Sequence, residues 1–115
     1  MITNIKSMDN MLDGWNEEEE AVARYAFERA YNRAIEALVA SVRQKAEGLD
    51  SVESLWQLHD FLSIQRHVVE GRFDFRLEGI LFVFASLVKE DFLQLEELQG
   101  LDADKLSKIS AMAKF

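Results

Sequence analysis

The chain has 115 residues, 49% of them hydrophobic, which suffices for one domain with a real core and leaves a second independent domain cramped. A formal net charge of -8 argues against a basic phosphate-binding face, so no nucleic-acid partner is expected, and the absence of cysteine excludes disulfides, thiolate metal sites and a cysteine nucleophile. No apolar run approaches the ~20 residues that span a bilayer, and the start MITNIKSMDN lacks the basic-then-apolar order of a secretory signal; no integral membrane segment and a soluble, cytoplasmic protein are the expectations.

The sequence contains no proline, and Gly14, Gly48, Gly71 and Gly100 fall between periodic segments, where glycine ends helices or makes loops. This punctuation predicts an all-α protein. The first segment opens at WNEEEE: Asn16 can cap it, Glu19 stands at the capping-box position, and the clustered acids complement the positive end of a helix dipole. It runs to about Glu47. Along it Phe27, Tyr31, Ala34, Ile35, Leu38, Val42 and Leu49 share an arc of about 100° at ~100° per residue, an amphipathic face expected to be core. A helix of about 30 residues is ~45 Å long against ~35 Å for the width of a compact chain of this size, so it should overhang its own domain. An overhanging apolar stripe needs a cover, and a second copy across a two-fold axis is the leading expectation, with a lone extended chain the alternative.

The second segment starts at DSVES, with Asp50 or Ser51 as cap, and ends at Gly71. Leu55, Leu58, Leu62 and Val69 form its apolar stripe, so the two segments should pack as an antiparallel hairpin around Gly48. In the third, FRLEGILFVFASLVKEDFL, the run ILFVF alone could be a buried strand, but the length of the segment decides for helix. Leu77, Ile80, Leu81, Phe84, Leu87 and Val88 then share one face, Gly79 is an interior glycine, and Phe82 points away. After the acidic stretch QLEELQG, a last helix opens near Asp102 or Asp104 and buries Leu106, Ile109 and Ala113, with Lys105 and Lys108 facing outward. The expected architecture is a single domain over 1–115: a flexible extension of about residues 1–15, an extended helical hairpin stalk over 16–71 and a small helical head over 72–115, forming an elongated dimer.

The stretch SLWQLHDFLSIQRH crowds polar chemistry onto one helix: Trp56, His59, Asp60, Ser63, Arg66 and His67 occupy an arc of about 120° beside the leucines. Catalysis would need His59 as base for Ser63, but Asp60 is adjacent and diverges by about 100°, and no glycine-rich turn supplies oxyanion donors. A helical metal site wants histidines three or four apart or a Glu-x-x-His pair, which His59 and His67 do not provide. Two readings remain open: polar pairs such as Asp60 with Arg66 or His59 with Ser63 that trim a helix interface, or a protein-binding surface, since Trp and Arg dominate interface hot spots. Phe82 and Lys108 would extend such a surface to the head.

The motifs LWQLHDFLS and RH, then FVFASLVKE and ADKLSKI, resemble the fluorescence recovery protein family of cyanobacteria over roughly Tyr25 to the C-terminus. The resemblance implies an all-helical dimer that regulates photoprotection without enzymatic activity or cofactor. Its implied partner is the photoactivated orange carotenoid protein: the family binds the C-terminal domain of that partner, accelerates its red-to-orange reversion, and promotes its detachment from the phycobilisome, ending non-photochemical quenching and restoring antenna fluorescence. It also implies peripheral association with the thylakoid or phycobilisome surface through that partner. Carried over by position, Trp56, His59, Asp60 and Arg66 match the family's active patch near the dimer interface, Leu55 matches an interface position with Trp56, Leu58 and Leu62 in the same seam, and Phe82 and Lys108 match head positions that act on the partner. The segment MITNIKSMDNMLDGW matches no motif, and Phe75 stands where a more polar residue is expected. The alternative function is a structural helical adaptor that binds a protein without changing any rate; a hydrolase using His59 is a distant third.

Overall fold

The computed structural model describes residues 14–115, and the described chain is all helical. Its helices are α1 (Glu17–Glu47), α2 (Val52–Arg72), α3 (Ile80–Lys89), a 3-10 turn (Leu95–Leu98) and α4 (Ala103–Ala113), with no strand among the described residues. The expected flexible extension lies outside the described residues over 1–13, but Trp15, placed in it by the sequence reading, is buried.

Local chemistry explains the helix ends. Asn16 Oδ1 accepts the Glu19 N–H at 2.8 Å and Glu19 Oε1 accepts the Asn16 N–H at 3.3 Å, a reciprocal cap that starts α1. Ser51 and Ser54 form the same box at the start of α2. Asp102 accepts the Lys105 N–H at 2.8 Å and starts α4. Helix α3 begins later than expected: Gly79 is its N-cap rather than an interior residue, and Leu77 lies in the preceding turn. At the other end Asp91 adopts a left-handed φ of 65°, so that the Asp91 N–H reaches Val88 O and the Phe92 N–H reaches Leu87 O, the paired bonds of a Schellman stop.

The chain divides into two compact units. The core unit comprises 14–30 together with Phe75–Phe115, and the hairpin unit comprises Tyr31–Asp74. The sequence reading assigns all of 16–71 to the stalk, whereas here the first half of α1 belongs with the core unit. The reason is a stripe of small residues. Ala23, Ala26 and Ala30, at helical spacing behind Glu19, are buried, and so are Ile80, Phe84 and Leu87 of α3, Leu93, Leu98 and Leu101 of the segment between α3 and α4, and Ile109 of α4, which complete this core. Tyr31 and Leu49, expected in the core, are exposed. Phe75 is no surface anomaly: its ring meets Phe27 edge-on at 5.3 Å and carries the Arg24 guanidinium 4.5 Å from its centroid.

Within the hairpin unit the helices run antiparallel. Tyr31 stacks edge-on with Phe73 at 5.1 Å, and Lys45 Nζ sits 4.5 Å from the Phe61 ring, so partners fall on α2 as they rise on α1. Two helices alone bury little, and α2 has no buried residue at all.

Candidate functional site

The face of α2 turned to α1 carries Ser54, Leu58, Phe61, Gln65 and Val69, all half-buried and spaced at three or four residues. One residue further round lies a second stripe, Val52, Leu55, His59, Leu62 and Arg66, with the same spacing and no cover within the described chain. Leu58 thus belongs to the inner stripe, while Leu55 and Leu62 belong to the outer one. Trp56 flanks the outer stripe and is 58% exposed; Leu55 is 47% exposed. A tryptophan beside uncovered leucines on a rigid helix is the composition of an interface centre rather than of a solvated flank.

Neighbouring polar groups on this surface pair with one another. His59 Nδ1 lies 3.3 Å from Asp60 Oδ1, and the Trp56 and His59 rings meet edge-on at 6.1 Å. The adjacent pair expected to diverge therefore does meet at its tips. Arg66 Nε donates to Glu70 Oε1 at 2.9 Å, one turn along the helix, so the Asp60–Arg66 pairing weighed from sequence is replaced by an i,i+4 pair. That hydrogen bond, with the Glu70 charge, pushes the Arg66 pKa up. The His59–Asp60 pair stands in solvent with no desolvated pocket around it, an arrangement suited to directional hydrogen bonding with a partner.

In the core unit, Phe82 projects from α3 with 71% of its surface exposed, as its helical position predicts. It and Lys108 line a common groove of about 550 Å³ together with Leu81 and Met112. Lys108 is exposed and pairs with Asp104 at 3.1 Å. The structure thus gathers Phe82 and Lys108 at one groove and Leu55, Trp56, His59, Asp60, Leu62 and Arg66 on one helix surface.

The sequence reading sends Lys105 outward, yet it is only 7% exposed. Its Nζ donates to Glu19 Oε2 at 2.9 Å, to Asp102 Oδ2 at 3.2 Å and to the Gly14 carbonyl, and it lies 4.7 Å from the Trp15 ring centroid. Glu19, 5% exposed, divides its carboxylate: Oε1 closes the α1 cap, and Oε2 also accepts the Asp102 N–H at 2.9 Å. Burial pushes the Glu19 pKa up, but the bonds from Lys105, Asp102 and Asn16 outweigh it and hold the carboxyl below its usual range. Burial likewise pushes the Lys105 pKa down, and its two carboxylate partners more than reverse this. Hydrogen bonds from the Lys105 N–H and side chain hold the Asp102 pKa down. The cap position of Glu19 is visible in sequence; its partner, 86 residues away, is not.

No group of three or more His, Cys, Asp or Glu among the described residues could hold a metal ion, and no described helix is long and apolar enough to cross a membrane. The family described as photoprotection regulator fluorescence recovery protein matches residues 15–113. The chain belongs to the fluorescence recovery protein family. It is 45% identical over 100 residues to the fluorescence recovery protein of Synechocystis sp. PCC 6803, covering 87% of this chain and 92% of that relative. Solved structures of the fluorescence recovery proteins from Fremyella diplosiphon and Synechocystis sp. PCC 6803 superpose with TM-scores of 0.84 and 0.83. Each is 44% identical, and the match covers 88% of this chain and 99% of the other. As a fluorescence recovery family member this chain is an all-helical photoprotection regulator. The matched span begins at Trp15.

Proposed function

We propose that this chain forms a two-fold homodimer through the outer stripe of α2 and binds the photoactivated orange carotenoid protein at its C-terminal domain, accelerating the partner's return from red to orange and its detachment from the phycobilisome. The observation that carries this reading is the uncovered Leu55–Trp56–Leu62 surface in a chain of this family. Leu55, Trp56 and Leu62, with Leu58 at the inner edge, form the dimer seam; Trp56, His59, Asp60 and Arg66 at its margin, and Phe82 and Lys108 in the core unit, contact the partner. No covalent bond changes and no cofactor is used. The chain acts by binding the barrier state of the partner's conformational relaxation more tightly than the red form, and each tenfold acceleration needs about 1.4 kcal/mol of that difference. The site of action is cytoplasmic, at the thylakoid or phycobilisome surface by way of the partner.

The test is direct. Orange carotenoid protein is illuminated to its red form, this chain is added in the dark, and the absorbance change from red to orange is followed. Faster decay supports the reading, and binding without faster decay selects a structural adaptor instead. Trp56→Ala and Arg66→Ala should each slow the assisted decay by about tenfold, the weight of a modest hot spot, with helical circular dichroism unchanged. Lost helicity would assign these side chains to folding.

A further inference from the structure

We propose that the partner-binding face of the core unit continues past Phe82 into a second groove at the far end of α3 and α4, where Phe115 supplies an apolar anchor and Lys89 a charge for a carboxylate of the partner. The occupant is the orange carotenoid protein, so the inference rests on the proposed function; it adds two residues that have no role there and the chemistry of the surface they meet. Helices α3 and α4 lie side by side with their positions advancing together. Leu81 and Phe82 share the first groove with Lys108 and Met112, while further along Ser86 and Lys89 share a second, of about 390 Å³, with Met112 and Phe115. Phe82 and Met112 line both, so the two grooves are continuous. Phe115 and Phe82 are the two most exposed large apolar side chains of the described chain, and both stand on this strip. Singly scattered apolar residues are ordinary on a surface, but two aromatic rings on one groove form a patch of the kind that marks an interaction site.

Lys89 does two things in this groove. Its Nζ, at the end of α3, donates to the main-chain oxygen of Phe115 at 2.6 Å, which ties the backbone that carries the ring and lowers the ordering cost of binding through it. An ammonium has three N–H donors, so two remain for a partner. Charge sets the second groove apart from the first. The first carries both signs, with Asp104 bound to Lys108 and Glu78 in its wall. Among the described residues Lys89 is the one charged group lining the second, a local positive spot in a chain of net charge -8. Phe82 and Lys89 are two turns apart on α3, about 10 Å, so the matching surface presents an apolar side chain and a carboxylate at that separation. The family match ends at residue 113; Phe115 lies beyond it, and its assignment rests on this geometry alone.

The test follows the assisted red-to-orange decay as a function of the concentration of this chain. The unaltered chain is measured first: if it does not accelerate the decay, the proposed function fails and this surface loses its partner with it. Given acceleration, Phe115→Ala should raise the concentration for half-maximal effect about tenfold, the weight of one hot-spot aromatic, and Phe115→Leu should recover most of the loss. Lys89→Met keeps the aliphatic stem and should raise that concentration about threefold, with a weaker salt dependence than the unaltered chain. Lys114→Met removes the same charge from an exposed position about 160° round α4 from Met112 and should change neither quantity. A Phe115→Ala chain that acts like the unaltered one overturns the inference and leaves the proposed function standing. Equal effects of Lys89→Met and Lys114→Met would report net charge alone and overturn the carboxylate contact. Phe115 and Lys89 are both exposed, so helical circular dichroism should be unchanged in every variant; helicity lost in Phe115→Ala would assign the ring to folding and overturn its role as an anchor.

Discussion

At the scale of single residues, the core unit holds a buried anion, Glu19, paired with a buried cation, Lys105. Breaking a buried, hydrogen-bonded pair from one side costs about 3 kcal/mol or more, because the remaining charge stays desolvated. Glu19→Gln is the informative change: glutamine keeps the capping-box residue type at the start of α1 but leaves Lys105 with Asp102 as its one anionic partner. We expect a loss of about 3 kcal/mol in urea unfolding at neutral pH. The pH dependence follows from the directions of the shifts. Glu19 and Asp102 titrate below their ordinary values of 4.5 and 3.8 when folded, so their stabilisation is complete above those values and is lost as pH falls through the lowered folded ones. Lys105 titrates above 10.5, so its share is complete below that value and is lost as pH rises through the raised folded one. Stability should be flat between about pH 5 and 10 and fall on both sides; in Glu19→Gln the acid fall should be shallower, and an unchanged acid slope would remove Glu19 from this role. The candidate residues and the buried pair differ in how far sequence exposes them. Trp56, His59, Arg66 and Phe82 are readable because helical periodicity alone fixes their facing, whereas Lys105 looks like any solvated lysine beside Lys108 until the fold brings Glu19 and Gly14 to it.

Among the elements, sequence pattern gives helix existence well and helix ends less evenly. The starts of α1 and α2 are legible because side chains mark them: Asn16 with Glu19, and Ser51 with Ser54; at its end α2 runs through Gly71, expected to close it, to Arg72. The limits of α3 are not, since apolar periodicity continues through Leu77 on one side and Phe92–Leu93 on the other, and backbone conformations at Gly79 and Asp91 decide where it stops. The face of α1 is misread for a related reason. Weighting by size favours Tyr31 and Leu49, but the buried apolar positions of α1 are Ala23, Ala26, Ala30 and Ala34. The two left-handed positions make a paired prediction. Asp91→Gly relieves the steric cost of a φ of 65° and should stabilise by about 0.5–1 kcal/mol. Gly100→Ala should do the opposite: φ is 113°, and an added Cβ would lie 2.8 Å from Val22 Cγ2, so a loss above about 1 kcal/mol is expected. Thermal unfolding of the two variants side by side checks both signs, and a neutral Gly100→Ala would mean that the contact with α1 yields easily.

For the whole molecule, the decisive quantity is the apolar surface that the hairpin unit leaves uncovered. An isolated pair of helices has only one mutual face, yet α2 carries two adjacent apolar stripes, the inner spent on α1 and the outer facing away. A two-fold partner is the economical cover, since an isologous contact uses each residue twice. Leu55 and Leu62 stand two turns apart, about 10 Å along the axis, so in the proposed dimer one charge introduced at Leu55 would meet its symmetry mate or the partner's leucines. Burying an unpaired carboxylate there, together with the lost leucine burial, should cost about 3 kcal/mol or more, over a hundredfold in the dimer dissociation constant. Leu55→Glu should therefore move the mass measured by light scattering from two chains toward one at micromolar concentration, with helicity retained. Ile64→Glu supplies the control. Ile64 is also exposed and apolar, but on the opposite side of α2, about 180° from Leu55 at ~100° per residue, and its substitution should leave the mass unchanged. Equal effects of both variants would point to non-specific loss of apolar surface, and no effect of Leu55→Glu would take the outer stripe out of the assembly.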